Sequence, residues 1–386
     1  MNSYNEHVVY ENFNSYFGGI TDYRQQVKIK HLLSEILFII VLATIAGAED
    51  TVDIASYAKS KFRWLSTFLK LENGIPSHDT FNRVLCMINP SEFEAKFIGW
   101  VSHYRDQLPY SPEKDIIPID GKTICNSKDE FNAKKAIHMV SAISTKHGLI
   151  LGQKKCGEKS NEITAIPELL DMLDIVGAII TIDAMGCQKK IAEKIILKKA
   201  DYILALKGNQ GNLNDEVMDF FDKVKQPEFK HYIHQSDSQT DKGHGRIETR
   251  ECTVIKNLDW LLEPNKWDSL NCIVQIKSTV TKGNKQTTEE RYYITSLDGD
   301  AKLINHAIRT HWHIENKLHW VLDVIFREDY CRLRTGNSAE NMNIIRKIAL
   351  NKMKADQTEK GSIKGKRKKC GWDDNYAAKI LWEMMA

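Results

Sequence analysis

The sequence of 386 residues is 42% hydrophobic and 27% charged, a composition typical of globular proteins that excludes a disordered chain, a collagen and a disulfide-stapled mini-protein. The net charge of +3 hides an asymmetry, because residues 301–386 carry 17 Lys and Arg against 10 Asp and Glu, whereas residues 1–300 carry 37 against 41. A basic C-terminal quarter points to a polyanionic partner such as nucleic acid, although a merely solvated basic tail would have the same composition.

The longest apolar run, Ile36–Ala48, has 13 residues, whereas crossing a bilayer takes roughly 20. It is therefore interpreted as a buried helix, and we expect neither export nor a membrane partner. The eight cysteines are scattered without a C-x-x-C pair, which disfavours a zinc module and indicates reduced thiols in a cytoplasm.

Residues 1–108 are predicted to form a helical domain. Apolar residues recur at three- and four-residue spacing in three segments, 32–46, 54–71 and 81–87. Ser91, with Glu94 three residues later, predicts a capping box at the start of a last helix. Two prolines in residues 109–112 mark the linker to the next domain.

Residues 109–354 alternate between strand and helix patterns, and we predict an α/β domain there. Short apolar runs predict strands at 116–120, 137–145, 149–155, 178–183 and 201–206, with helices at 161–173 and 187–200. A β-rich insertion is expected over 208–298, with strands at 251–255, 271–281 and 291–295. Helical periodicity returns at 301–324 and 338–354, and a basic tail from 355 to 386 closes the chain.

Three acidic residues stand out by position. Asp120 and Asp183 each end an apolar strand, and reactive groups gather at the carboxyl ends of strands in α/β sheets. Glu315 lies in a helical segment dense with polar and aromatic residues. Three carboxylates from distant segments would suit a pair of hard divalent cations that clamp an in-line phosphoryl displacement. The alternative is that the strand-end acids merely cap the next helix.

The segment around Glu315 also favours nucleic-acid contact. On an α-helix Trp312, Glu315 and His319 would share one face, and such side chains suit phosphates and unpaired bases. The alternative is an amphipathic helix that buries its tryptophans. Zinc is disfavoured because His311 and His313 fall on different faces of a helix.

Seven segments carry a family resemblance: Ile119–Thr123, Glu158–Leu170, Thr181–Gln188, Leu206–Gln210, His244–Arg250, Arg291–Ile294 and His311–Asp323. Together with Asp22–Arg24 and Asn73–Asp79 they span nearly the whole chain in order. The sequence resembles the H-repeat-associated proteins, a family of bacterial insertion-sequence transposases of the Asp-Asp-Glu type.

The resemblance implies a ribonuclease-H-like mixed sheet flanked by helices, with a β-rich insertion and an all-helical N-terminal domain before it. It makes Asp120, Asp183 and Glu315 the catalytic and metal-binding triad for two Mg²⁺ (or Mn²⁺) ions. The implied activity is cleavage at the ends of the element and joining of the freed 3′ hydroxyl to target DNA. Partners would be the terminal inverted repeats, target DNA and a second copy of the chain, a homodimer in the synaptic complex, with a nucleoid-associated location in the cytoplasm.

We expect eight residues to contact DNA: Lys122, Arg309, His311 and Asn316 near the scissile phosphate, and Lys207, Asn209, His244 and Arg246 on the same face. His311 lies four residues before Glu315, where relatives often have an arginine. Two alternatives stay open. One is a catalytically decayed or co-opted DNA-binding protein, and the other is a metal-dependent nuclease on the same fold.

Overall fold

A computed structural model describes residues 6–157, 161–243, 245–263 and 266–384, and its described chain begins with six helices. These are α1 (Glu6–Phe17), α2 (Leu33–Ala46), α3 (Thr51–Ser60), α4 (Phe62–Leu65), α5 (His78–Met87) and α6 (Pro90–Asp106). Aromatic rings join them, since Phe13 packs edge-on against Phe38 and Phe17 packs against Trp100. The predicted all-helical N-terminal region is confirmed.

Nine strands of the described chain then form one sheet. They are β1 (Ile116–Thr123), β2 (His138–Ser144), β3 (Leu149–Lys155), β4 (Ile179–Ile182), β5 (Asp201–Leu206), β6 (Ile233–Gly243), β7 (Arg246–Ile255), β8 (Cys272–Lys282) and β9 (Lys285–Thr295). Their order is β3-β2-β1-β4-β5-β9-β8-β7-β6, in which β1, β4 and β5 are parallel and the other pairs antiparallel. The first five strands have the ribonuclease-H-like arrangement, so the predicted fold class is confirmed.

Helices cover both faces of this sheet. On one face α7 (Glu162–Met172) and α8 (Lys189–Leu197) pack against Ile180 and Leu204. On the other face α10 (Ala301–His311) packs against Ile116 and Ile179. Because side chains alternate between faces along a strand, the residues that point toward α10 are those in step with Ile116 and Ile179.

The insertion extends the catalytic sheet. Strand β9 pairs with β5, and β8, β7 and β6 follow outward, so the β-rich insertion is confirmed. The elements predicted for the insertion leave out residues 211–243, where α9 (Gly211–Val224) and β6 lie. Helix α9 buries Val217, Phe220 and Val224 at helical spacing, whereas β6 carries few apolar residues to reveal it.

The last helices are α11 (Ser338–Ala355), α12 (Ile363–Trp372) and α13 (Asp374–Trp382). Helices α2 and α11 are buried over most of their lengths, and within the described ranges no helix is both long and apolar enough to cross a membrane.

The basic stretch in α12 is partly internal. Lys366 donates a hydrogen bond to the Met353 carbonyl at 2.9 Å, and Arg367 donates one to the Thr44 carbonyl at 3.1 Å. Both side chains are buried. The interpretation of these two cations as a solvated or DNA-binding tail was therefore wrong.

Candidate active site

The sheet register places Asp120 and Asp183 side by side. Ile119 of β1 lies opposite Ile182 of β4 in the last parallel pair, and the two aspartates are the next residue on each chain. Neighbouring strands are about 4.8 Å apart, and both aspartates are in step with Ile116 and Ile179, on the face that packs against α10. The chain that leaves α10 carries Glu315.

Four carboxylates share this region. The pKa of Asp120 is raised to about 7, first by burial and then by the nearby charges of Glu162, Asp183 and Glu315, against a lowering hydrogen bond from the Gly121 N–H. Desolvated like charges destabilise each other unless a cation accompanies them. The structure thus brings the three sequence-predicted acids together and adds Glu162.

Oxygen donors of this kind fit Mg²⁺ or Mn²⁺ better than zinc. Among the residues that the structure describes, no three His, Cys, Asp or Glu side chains stand in a metal-holding arrangement, so the carboxylates are grouped without converging on one point. Asp183 already accepts hydrogen bonds from the Met185 and Gly186 N–H groups at 3.0 and 3.3 Å. These bonds fix the turn after β4.

The segment that carries Glu315 is π-helical, and this changes the predicted helix face. Helix α10 ends at His311, and Glu315–His319 and Val321–Ile325 continue as π-helical turns, a geometry frequent at functional sites. His319 Nδ1 lies 3.6 Å from Asp120 Oδ2. Burial, followed by Lys347 and Lys122, lowers the pKa of His319 to about 3, so this imidazole is neutral.

Lys122, two residues after Asp120, has three carboxylate partners. Its Nζ lies 2.6 Å from Asp323, 3.3 Å from Glu328 and 3.2 Å from Asp329. Burial lowers the pKa of Lys122, but the three carboxylates raise it overall. The ammonium predicted to contact DNA is therefore already paired within the protein.

His311 points toward the strand before Asp183. Its Nδ1 lies 2.9 Å from Thr181 Oγ1, and burial lowers its pKa although Asp183 opposes the shift. The side chain links the end of α10 to β4 as a neutral imidazole. This contact orients the chain that continues toward Glu315.

We expect His311→Arg to melt lower and cleave DNA more slowly than His311→Gln. Arginine forces a charge into a half-buried site, at a cost of roughly 1–3 kcal/mol, whereas glutamine keeps a polar group near Thr181. Thermal melts and single-turnover cleavage of both variants test this. An arginine variant that cleaves faster than glutamine would instead favour a cationic phosphate contact.

The loop after β5 reaches the turn after β4. Asn209 Nδ2 donates to the Ala184 carbonyl at 2.5 Å, which ties Asn209 to the turn that holds Asp183. Lys207 is exposed beside it. His244 lies outside the described residues.

Three predicted DNA contacts meet in a groove between α10 and the insertion, here called the insertion groove, of about 510 Å³. It is lined among others by Arg246, Arg250, Arg291, Arg309, Trp312 and Asn316. Arg309 is held by Asp241 at 2.9 Å and Glu248 at 3.1 Å. Trp312 is 45% exposed and lies under Arg291, with 5.7 Å between the guanidinium carbon and the ring centre.

Arg250 was missed from sequence, although it ends the segment His244–Arg250. Its side chain is only 6% exposed, and burial, followed by the Arg309 guanidinium, lowers its pKa. A buried guanidinium beside another cation favours an anion at this place in the groove.

Glu162 and His138 were also missed. Glu162 Oε1 lies 2.6 Å from His138 Nε2, and a Cβ added at Gly121 would stand 2.1 Å from the same oxygen. The glycine after Asp120 therefore lets the backbone of β1 pass close to this pair. A signal was available for Glu162, because it lies within Glu158–Leu170, one of the segments that carry the family resemblance.

We expect Asp120→Asn to melt higher than wild type in metal-free buffer at pH 8. A carboxyl whose folded pKa is raised loses stability as pH rises from its ordinary range through about 7, and asparagine removes that charge. A gain of about 1 kcal/mol would raise Tm by roughly 1–2 °C in a chain of 386 residues. The Tm difference between Asp120→Asn and wild type should vanish near pH 4. A lower Tm for the variant at pH 8 would contradict repulsion among the carboxylates around Asp120.

The fold is ribonuclease-H-like, and comparison with known proteins gives the family. Residues 14–101 match the model described as "DDE_Tnp_1-associated", and residues 111–352 match "Transposase DDE domain". The chain belongs to the DDE transposase family.

Full-length relatives agree with this assignment. The chain is 45% identical to "H repeat-associated putative transposase YhhI" of Escherichia coli K12, over 94% of this chain and 95% of that one. It is also 45% identical to "Putative transposase YncI" of Escherichia coli O157:H7, over 95% and 93%. A piggyBac transposase synaptic complex with hairpin DNA is similar at 13% identity and a TM-score of 0.40, over 100% and 81%. The resemblance to the H-repeat-associated family is confirmed.

Proposed function

We propose that this protein is an active DNA transposase that cuts at the ends of an insertion sequence and joins the freed 3′ hydroxyl to target DNA. The observation that supports this most is the register of β1 and β4, which sets Asp120 beside Asp183 on the face toward Glu315. DNA in the nucleoid would be its working partner, and synapsis of two ends would use a homodimer.

Asp120, Asp183 and Glu315 would hold two Mg²⁺ or Mn²⁺ ions. Such ions supply charge neutralisation and activation of the attacking oxygen in phosphoryl transfer. The chain's own residues hold the segments that carry these carboxylates in place. His311 fixes the end of α10 on Thr181, Asn209 holds the turn after Asp183, and neutral His319 covers the buried side of Asp120.

Substrate positioning would fall to Lys207 and to the arginines of the insertion groove rather than to Lys122. Lys207 is exposed two residues before Asn209, which contacts the turn after Asp183, and Arg246, Arg250 and Arg309 line the insertion groove. Phosphate contacts of this kind fix the register of a nucleic acid without reading its sequence. Trp312 gives the groove an exposed aromatic face for a base.

Incubation of the purified full chain with a duplex carrying an element end and Mg²⁺ or Mn²⁺ tests the proposal. Strand-transfer products support a transposase. Cut products without joining would identify a metal-dependent nuclease on the same fold, and a mobility shift without either product would identify a DNA-binding protein that has lost catalysis.

A further inference from the structure

A second basic groove lies in the helical N-terminal region, far along the sequence from the carboxylates. This N-terminal groove measures about 790 Å³ and is lined by the loop before α2 and by the first turns of α5. Its lining includes Tyr23, Lys28, Lys30, His31, Ser77 and Arg83 and contains no Asp or Glu.

Three cations of this groove have no ion-pair partner among the described residues, whereas Arg24 is paired with Asp22. Lys28, Lys30 and Arg83 are exposed, and within the described ranges none of the three forms an ion pair, whereas Lys122 and Arg309 near the active site are each held by carboxylates. The pKa of His31 is lowered first by burial and then by Arg24 and Lys30. Positive potential therefore accumulates here without an internal counter-charge.

The loop that carries Lys28 and Lys30 is held in place. Arg24 binds Asp22 through Nε at 2.9 Å and Nη2 at 2.6 Å, and the same Nη2 donates to the His31 carbonyl at 2.9 Å. Asn73 donates to the Lys30 carbonyl at 2.7 Å. These bonds neutralise Asp22 and fix the loop backbone, so Lys28 and Lys30 start from a preorganised position.

The groove is also coupled to the catalytic domain. Arg83 lies on α5, whose far end receives bonds from α11: Asn341 Nδ2 donates to the Leu85 carbonyl at 2.8 Å and to the Ile88 carbonyl at 3.0 Å. Helix α11 packs against β3. A ligand held in the N-terminal groove is thereby fixed relative to the catalytic sheet.

We propose that the N-terminal groove binds the backbone phosphates of duplex DNA and anchors it for the catalytic domain. Charge favours this occupant, because Lys28, Lys30 and Arg83, which form no ion pair within the described residues, line the groove together with the Ser77 hydroxyl. Side chains of these types contact phosphate in protein–DNA complexes. The proposal rests on the proposed function for the choice of DNA as the polyanion.

The test compares Lys28→Ala/Lys30→Ala/Arg83→Ala with the matched control Lys59→Ala/Arg63→Ala/Lys199→Ala, which removes the same charge from exposed residues outside the groove that form no ion pair within the described ranges. Fluorescence anisotropy with a duplex measures Kd between about 50 and about 200 mM salt. Losing three phosphate contacts should lower the salt slope by about 2.7, so the affinity deficit of the groove variant shrinks about 40-fold over that range. The control should keep the wild-type slope.

An unchanged salt slope in the groove variant, or an equal loss of affinity in the control variant, would overturn the proposal that this groove binds duplex DNA. The proposal also fails if the groove variant binds single-stranded RNA more weakly but duplex DNA as wild type does. It fails as well if inorganic phosphate alone raises Tm as much as the duplex does. Failure of the proposed function looks different. If wild-type protein binds duplex through this groove but never cuts it, the proposed catalysis is refuted while the proposal for the groove is supported.

Discussion

Asp120→Asn, Asp183→Asn and Glu315→Gln are each expected to lower strand cleavage by at least ~10³-fold, a loss of about 4 kcal/mol in transition-state stabilisation. Each change keeps the shape of the side chain and removes one charged oxygen donor from the group around Asp120. Duplex binding should be as tight as in wild type or tighter, because a negative charge is lost. Cleavage under single turnover and anisotropy of the same preparations measure the two effects.

Asp171→Asn is the matched control, since Asp171 is exposed and its one ion pair within the described residues is with Lys194 at 2.5 Å. It should cleave as wild type does. Wild-type cleavage by any one of the three site variants would remove that residue from the triad. For Glu315, Asp323 would then be the substitute, although Asp323 is bound to Lys122.

Glu328→Ala is expected to destabilise the fold by about 3–5 kcal/mol, because it leaves buried cations without a counter-charge. Glu328 is fully buried and accepts a bond from Asn343 at 2.8 Å, with Arg346 at 3.4 Å and Lys122 at 3.3 Å. Burial raises its pKa, but Arg346 and Lys122 lower it overall. The stabilisation is therefore present above the ordinary carboxyl range and is lost as pH falls through the lowered pKa.

Urea unfolding of Glu328→Ala beside Asp329→Asn measures this effect. Asp329 also binds Lys122, at 3.2 Å, but it is partly exposed, so its replacement should cost far less, on the order of 1 kcal/mol. If the two variants lose equal amounts of unfolding free energy, burial does not explain the contribution of the Glu328 charge.

The sequence reveals the parallel strands of the catalytic sheet because short β-branched runs are local signals. The end of β4 before Asp183 is predicted correctly, but the prediction that Asp120 ends its strand was wrong, because β1 continues to Thr123 by pairing with β2. The π-helical turns are not, since an α-periodic pattern in 301–324 is compatible with either winding. Trp312 and His319 were expected on one face, but Trp312 lines the insertion groove and His319 approaches Asp120.

Long-range polar pairs are what the sequence conceals. The capping box at Ser91 and Glu94 was wrong, because Asn89 caps α6 by accepting from the Ser91 N–H at 3.0 Å. Glu94 is buried and accepts instead from the Gln153 N–H at 3.1 Å. The partners of Lys122 and Glu162 are likewise set by tertiary packing, so neither pairing has a local signature.

The continuity of the nine-stranded sheet bears on how copies of such a gene decay. Strand β9 pairs with the outer edge of β5. A frameshift or deletion that removes 233–295 therefore leaves β5, the neighbour of β4, with unpaired backbone N–H and C=O groups. Open edges of this kind template aggregation. Truncated copies should therefore be cleared as insoluble chains, whereas point-mutated copies of full length should persist as folded proteins able to occupy DNA.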